Sequence, residues 1–189
     1  MEGTAFRDVL FLLVGGLLTI VLIMLPFLNP PAREDQSEPP GNVIVSIVWP
    51  KDLPHDVDLW VMGPGEVKPV GYSNKGGLVW NLLRDDLGQD PYSDANFETS
   101  YSRGIRAGRY TVNVHCYRCP TLPVPVQVEV SVQATDAQRS IRRLLQTTLE
   151  MKFNGQEATA FSFFLTEDGF VVPGTANTIF RPLREANPK

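Results

Sequence analysis

The chain has 189 residues and a formal net charge of −4, so it lacks the excess of basic residues that is typical of nucleic-acid binding. Its 16 prolines and 15 glycines predict many turns and favour a β-rich fold over a helical bundle. Only two cysteines are present, which excludes a disulfide-rich scaffold and a four-cysteine zinc site.

The N-terminal segment is apolar over a length that suits a membrane. From Val9 to Leu28 there are 20 consecutive residues without a charge, and a transmembrane helix needs about 20. A cleavable signal peptide is the alternative, but its apolar core is about 7–15 residues long, and the proline-rich sequence LPFLNPPARED fits poorly at a cleavage site. The sequence therefore predicts a short tail and a retained membrane helix over residues 1–28.

The orientation of this helix is predicted from the cysteines of the larger domain. Few charges precede the helix, so the positive-inside rule barely separates the two orientations. The CxxC pair in the domain after the helix suits an oxidising compartment if the cysteines are bridged. We therefore expect a short tail inside the cell and a larger domain outside.

Residues 29–42, NPPAREDQSEPPGN, are rich in proline and charge and predict a semi-extended linker. Alternating β-branched residues then predict strands in VIVSIVW, RYTVNVHCY and VPVQVEVSVQ. Turn signals such as MGPGE, SNKGG and RAGR separate such runs. The fold class is therefore predicted to be mainly β, with an antiparallel β-sandwich over residues 43–189 after the helix.

The C-terminal part of this domain is predicted to contain a hairpin followed by an irregular tail. The Asn154-Gly155 pair lies between two alternating runs and predicts a hairpin, with strands near residues 145–153 and 156–165 in the same sandwich. We expect the tail after Val172 to be irregular. Six aromatic residues are expected to fill the core: Trp49, Trp60, Trp80, Phe161, Phe163 and Phe164.

One face of the predicted helix differs from the rest. Gly15, Thr19 and Pro26 lie within about 20° of Asp8 around a helical axis. Small and polar residues on one face usually mark packing against protein. Two interpretations of Asp8 are open at this point. The carboxylate caps the helix N-terminus, or it carries an ion, because ionisable residues in membrane segments mark ion pathways.

The segment FRDVLFLLVGGLLTIVLIMLP resembles the single helix of the ExbD/TolR and flagellar MotB families, in which an aspartate opens the helix after a very short cytoplasmic tail. Those proteins form the central dimer of ion-driven membrane motors, inside a polytopic ExbB/TolQ/MotA-like pentamer. The resemblance covers residues 5–27. It implies a stator-type homodimer with the same kind of partner, in which Asp8 is the ion carrier. It also implies a bacterial inner-membrane location, with the N-terminus cytoplasmic and the C-terminal domain periplasmic.

The ion is predicted from the residues near Asp8. Sodium would need several oxygen ligands, and Thr19, the only hydroxyl in the apolar run, is roughly 16 Å away along a helix. A proton needs only the carboxylate and a neighbour that relays it. We therefore expect the proton motive force to drive the motor, with sodium as the alternative if helices of the partner supply ligands.

The domain beyond the linker has no peptidoglycan-binding pattern of the MotB kind and does not resemble the small mixed domain of ExbD/TolR. The sequence HDVDLWVMGPGEVKPVGYSNKGGLVWNLLRDDLGQDP, followed by IRAGRYTVNVHCY, resembles a YfaP-like bacterial β-sandwich domain of unknown role. This resemblance covers residues 43–133 and concerns fold more than function. The alternative function is a membrane-tethered periplasmic module that recognises a glycan or a protein.

Four aspartates in this domain are candidates for calcium ligands: Asp56, Asp58, Asp85 and Asp86. Calcium takes about six to eight oxygen ligands, so the loops that carry these residues would have to converge. Aspartates in turns commonly hydrogen-bond their own backbone instead. The sequence leaves both alternatives open, and we assign no metal site from it.

Other candidates for chemistry are few. Cys116 and Cys119 form either a disulfide across a tight turn or two free thiols. His55 and His115 fall in no recognisable arrangement with a nucleophile, and the sequence has no phosphate-binding glycine loop. We therefore expect no enzymatic activity and no cofactor.

Overall fold

The computed structural model describes residues 2–28, 42–88, 95–133 and 141–184. The chain divides into two compact units, Met1–Glu38 and Pro39–Lys189. Among the described elements, the first unit contains one helix and the second contains strands. The predicted linker at residues 29–42 lies outside the described residues apart from Asn42.

The N-terminal unit contains the α-helix α1, Glu2–Leu28, which is 27 residues long. Its segment Gly3–Met24 is long and apolar enough to cross a bilayer, and none of that segment is buried within the chain. A membrane span and a signal anchor both have this length and composition.

The helix begins earlier than the sequence predicts. Asp8 lies six residues after the first helical residue, Glu2, whereas helix ends are uncertain by only about one or two residues. A capping residue stands at the helix boundary with non-helical backbone angles. The interpretation of Asp8 as an N-cap is therefore wrong, and Asp8 does not open the helix. Ala5, Phe6 and Arg7 contain no helix breaker, so the helix extends through them.

The second unit is an antiparallel β-sandwich. Its described strands are β1 Val43–Trp49, β2 Asp56–Met62, β3 Trp80–Arg84, β4 Asn96–Ser102, β5 Gly108–Arg118, β6 Val124–Gln133, β7 Ile141–Met151 and β8 Glu157–Leu165. One sheet has the strand order β3-β4-β1-β6-β7 and the other has the order β2-β5-β8. The predicted fold class, an N-terminal apolar helix followed by antiparallel strands in two sheets, is confirmed.

Alternating side chains build the core between these sheets. In β1, Val43, Val45 and Ile47 are buried while the residues between them are more exposed, as the two-residue period of a strand requires. Five of the six aromatic residues expected in the core are buried: Trp49, Trp60, Trp80, Phe161 and Phe163. Phe164 is 36% exposed. It follows a buried residue on β8 and therefore faces the opposite side of the sheet.

The prediction that the strands on either side of Asn154-Gly155 pair as a hairpin is wrong. β7 pairs with β6 and β8 pairs with β5, so the two strands belong to different sheets. Gly155 has a φ of 82°, and its N–H donates to the carbonyl of Cys116 on β5 at 2.7 Å. The turn is present, but it connects the two sheets of the sandwich.

The C-terminal segment, which was predicted to be irregular, forms no strand within the described residues and is nevertheless held against β8 and β5. The backbones of Ser162 and Asn177 exchange hydrogen bonds of 2.8 and 2.9 Å. The side-chain amide of Asn113 donates to the carbonyl of Arg181 at 2.7 Å. These contacts bring Arg184 to the face of β5.

Cys116 and Cys119 form a disulfide between the end of β5 and the loop after it, with a Cα–Cα distance of 5.9 Å. We expect the mass of the intact protein to rise by about 2 Da on reduction. Because both cysteines are buried in the folded chain, a maleimide is added in denaturant, where it should label them only after reduction. Labelling of both thiols without a reductant in freshly isolated protein would contradict the bridge and remove the support for an oxidising compartment.

Candidate functional site

Several carboxylates meet where the two sheets of the sandwich approach each other. β2 is an edge strand of one sheet and β3 is an edge strand of the other. Asp56 and Asp58 lie on β2, Asp85 comes directly after β3, and Glu98 lies on β4 next to β3. One oxygen from each of Asp58, Asp85 and Glu98 lies within 4.8 Å of the other two. We call these four residues the carboxylate cluster.

Glu98 forms the floor of the cluster. It is 1% exposed, and its Oε2 accepts a hydrogen bond of 2.7 Å from the backbone N–H of Leu59 on β2. Its Oε1 accepts a bond of 3.1 Å from the N–H of Asp86. An edge strand presents N–H groups that its own sheet leaves unpaired. Glu98 therefore links the two sheets, because it accepts a hydrogen bond from one such N–H group, that of Leu59.

Asp58 is oriented by a chain of hydrogen bonds. His115 lies opposite Asp58 in the pairing of β2 with β5, and its Nδ1 is 2.8 Å from Oδ2 of Asp58. The guanidinium of Arg184 lies 2.7 Å from the other ring nitrogen, Nε2. Because a guanidinium can only donate, Nε2 is the acceptor and the ring proton of neutral His115 is on Nδ1. His115 therefore donates to Asp58 and holds its carboxylate in place.

Two carboxylates of the cluster, those of Asp56 and Asp85, make fewer hydrogen bonds than buried carboxylates usually do. Asp56 is 5% exposed, and its carboxylate makes no hydrogen bond or ion pair within the described part of the chain. Asp85 accepts a bond of 2.8 Å from Lys75 through Oδ2, while its Oδ1 is buried without a partner. Buried acceptors of this kind are uncommon in native proteins, and a bound ion or an ordered water is one way to satisfy them.

The electrostatics of the cluster disfavour several negative charges at once. Burial, followed by the charge of Asp58, raises the pKa of Asp56 to about 6. Burial also raises the pKa of Asp58, against the hydrogen bond from His115 that lowers it. Burial raises the pKa of Glu98 to about 9, against the lowering effect of the Leu59 N–H. Since desolvation and like charges both oppose ionisation, a cation placed among these groups would relieve the repulsion.

Asp86, the fourth aspartate of the sequence pattern, has a different role. Its Oδ1 accepts a bond of 2.9 Å from the N–H of Gly88, and its Oδ2 lies 2.9 Å from the guanidinium of Arg84. Gly88 has a φ of 67°, and a Cβ there would collide with the carbonyl oxygen of His55. Asp86 therefore stabilises the turn after β3, as aspartates in turns commonly do.

A cavity of about 220 Å³ opens beside the cluster. It is lined by three aspartates, two tyrosines and a leucine: Asp56, Asp58, Asp85, Tyr72, Tyr117 and Leu87. The two tyrosine rings are 6.0 Å apart between centres. A volume of this size holds an ion and several waters, because one water takes about 30 Å³ of liquid.

Three residues of this site escape a sequence-based search: Glu98, His115 and Arg184. Glu98 carries the clearest signal, because it occupies an inward-facing position of the alternating strand β4, where an acidic residue is unusual. His115 and Arg184 carry no such signal, because their contact joins residues 69 positions apart.

The helix carries the second candidate site. Asp8 is exposed on α1, and its carboxylate has no ion-pair partner among the described residues. The hydroxyl of Thr19 donates to the carbonyl of Gly15 in its own helix at 2.8 Å and lies roughly 16 Å along the helix from Asp8, so the two side chains cannot bind the same ion. The helix therefore supplies one carboxylate between Gly3 and Met24, that of Asp8, which directly follows Arg7.

These features define an antiparallel β-sandwich protein that begins with an apolar helix and has a carboxylate cluster between its two sheets. No protein-family model, curated protein or solved structure matches the chain. The resemblances to the ExbD/TolR and MotB helices and to YfaP-like domains stay predictions.

Proposed function

We propose that this chain is the single-pass subunit of an ion-driven membrane motor. In this proposal α1 crosses a bacterial inner membrane, and two copies pair inside a polytopic ExbB/TolQ/MotA-like pentamer. Asp8 takes up a proton on one side and releases it on the other. The β-sandwich lies in the periplasm, where it anchors the complex or transmits its motion.

The position of Asp8 within α1 carries this proposal. Asp8 lies inside the helix, at the start of its apolar segment, and therefore has no capping role. An aspartate at the centre of a membrane helix costs about 2.5–3.5 kcal/mol, and Asp8, which is nearer the end of the span, costs less. A group of this kind is usually retained because it binds or moves an ion.

Two adjacent glycines of the same helix indicate that another protein helix packs against it. A Cβ at Gly15 or Gly16 would meet nothing within 4 Å, so no contact within the described chain requires a glycine. Each glycine costs a helix about 1 kcal/mol relative to alanine. Close packing of another helix against this face is the usual compensation in membranes.

The proposed periplasmic location rests on the disulfide between Cys116 and Cys119. Disulfides persist in oxidising compartments, and cytosolic reductants remove them. With the sandwich outside and one span, the N-terminus is cytoplasmic.

A second candidate function is a membrane-tethered binding module, and the cavity beside the carboxylate cluster favours it. The cavity combines aspartates with Tyr72 and Tyr117. Tyrosine at such a surface combines an apolar ring with a hydrogen-bonding hydroxyl, a combination suited to a glycan or a protein loop.

Purification of the full chain from its native membranes in a mild detergent tests the motor proposal. We expect a polytopic membrane protein to co-purify, and native mass spectrometry to give two copies of this chain with about five of the partner, the ratio that the resemblance implies. This measurement reports assembly of the complex and does not depend on ion transport by Asp8. Recovery of the chain alone, as a monomer, from membranes that contain its genomic neighbours would overturn the motor proposal and leave the binding module.

A further inference from the structure

The carboxylate cluster has the form of a divalent-cation site. We infer that it binds one calcium ion, which is held by oxygens of Asp58, Asp85 and Glu98, with Asp56 on the cavity wall as the fourth carboxylate. Calcium lies about 2.4 Å from its ligands, so two of its ligand oxygens are at most about 4.8 Å apart. The oxygens of the first three residues meet this limit.

The unpartnered groups are a second observation, independent of the clustering. Asp56 is nearly buried, lines the cavity and makes no hydrogen bond or ion pair within the described residues. Oδ1 of Asp85 is also buried without a partner. An isolated buried carboxylate is costly unless a cation compensates it. Arg118 stands opposite Asp56 in the strand pairing, and its charge lowers the pKa of Asp56 against the larger raising effect of burial. Its guanidinium donates to the carbonyl of Leu87 at 3.3 Å.

The donor set selects calcium among common metals. All available ligands are oxygens, because both ring nitrogens of His115 are engaged and both cysteines are bridged. Zinc prefers nitrogen and sulfur ligands. Magnesium keeps several waters and usually uses about one or two carboxylates, whereas calcium accepts several carboxylates in a flexible shell. Four carboxylates beside a cavity that has room for several waters therefore fit calcium.

The surroundings of the cluster position its ligands before the ion arrives. His115, which Arg184 orients, fixes the carboxylate of Asp58 through a hydrogen bond to one of its two oxygens. The two backbone N–H groups bound to Glu98 fix that side chain in the same way. Hydrogen bonds of this kind around metal ligands hold them in the binding geometry.

The test uses the full chain in detergent micelles after treatment with a chelator. Tryptophan fluorescence follows thermal unfolding, since Trp49, Trp60 and Trp80 are all buried in the sandwich domain. We expect calcium at about 5 mM to raise the unfolding midpoint by about 5 °C, as for a site of sub-millimolar affinity. Equilibrium dialysis with radioactive calcium should give one ion per chain.

Variants separate binding from folding. Asp56→Asn should leave the calcium-free midpoint unchanged or higher, because it removes an uncompensated buried charge, while it weakens calcium binding about tenfold or more. Asp85→Asn should also weaken binding. Asp52→Asn is the matched control, because Asp52 is exposed and lies outside the cavity lining. It should bind calcium as the wild type does.

Three outcomes would overturn the inference. These are an absence of calcium binding by the wild type at about 5 mM, unchanged binding by both Asp56→Asn and Asp85→Asn, or an equal midpoint shift with magnesium. The calcium site does not depend on the motor proposal. The calcium-binding test therefore says nothing about the motor, and the co-purification test says nothing about calcium.

Discussion

Replacement of Asp8 by asparagine is expected to abolish ion flux while the helix still inserts and the partner still binds. Asparagine keeps the size and the hydrogen-bonding oxygen of aspartate but cannot take up or release a proton. Flux would be measured with a pH-sensitive dye in proteoliposomes that contain the co-purified complex. Assembly would be measured by recovery of the partner with the variant. We expect flux at background and recovery equal to the wild type.

The physical reason is the alternation of two charge states at one carboxyl group. A protonated carboxyl group avoids most of the free-energy cost of leaving water, so it is tolerated at an apolar interface within the membrane. When an aqueous path reaches it, the ionised form regains hydration and the proton leaves. A membrane potential supplies about 2.3 kcal/mol per charge for each 100 mV, which is enough to drive the proton from one side of the membrane to the other. Asparagine stays neutral and performs neither step.

Thr19→Val is the matched control on the same helix face. The Thr19 hydroxyl is bonded to the carbonyl of Gly15 in its own helix, so its loss should leave proton flux near the wild-type level. If Asp8→Asn conducted protons as fast as the wild type, Asp8 would not be the carrier. Flux that tracked sodium concentration at constant pH would contradict the choice of the proton.

The alternation of side chains made most of the sandwich predictable. The runs VIVSIVW and VPVQVEVSVQ became β1 and β6, and alternate residues of each strand, mostly valines, face the core. The pairing of strands was harder to predict, because a turn signal is local. Asn154-Gly155 indicates a tight turn, but the hydrogen bonds of β7 and β8 run to β6 and β5. Which neighbour a strand takes depends on the whole sandwich.

The carboxylate cluster could be predicted only in part. The sequence pattern indicated that Asp56, Asp58 and Asp85 suit calcium if their loops converge, and the structure brings them to one cavity. It could not indicate the convergence itself, since Asp58 and Glu98 lie on different sheets. It also grouped Asp86 with the others, although that side chain is bonded within its own turn. Whether an aspartate serves a turn or a site depends on contacts between distant strands.

Glu98 has the largest expected effect on the stability of the sandwich. Its two oxygens accept the N–H groups of Leu59 and Asp86, which lie on opposite sides of the junction between the sheets. A buried donor left without an acceptor costs about 1–3 kcal/mol. Glu98→Ala leaves both donors unpaired and opens a cavity in their place. We therefore expect it to lower the free energy of unfolding by about 3–6 kcal/mol.

A graded series tests this explanation in the presence of a chelator, so that loss of a metal ligand does not contribute. Glu98→Gln keeps one accepting oxygen and turns its amide N–H₂ toward the other donor, so it should cost about 1–3 kcal/mol. Glu129→Ala is the control. Glu129 pairs with Arg143 at 2.8 Å on the exposed face of the same sheet, and an exposed pair contributes about 0–1 kcal/mol. Urea unfolding followed by tryptophan fluorescence should rank Glu129→Ala, Glu98→Gln and Glu98→Ala in order of increasing loss. Equal losses for the two Glu98 variants would show that the two backbone hydrogen bonds are not what the glutamate contributes.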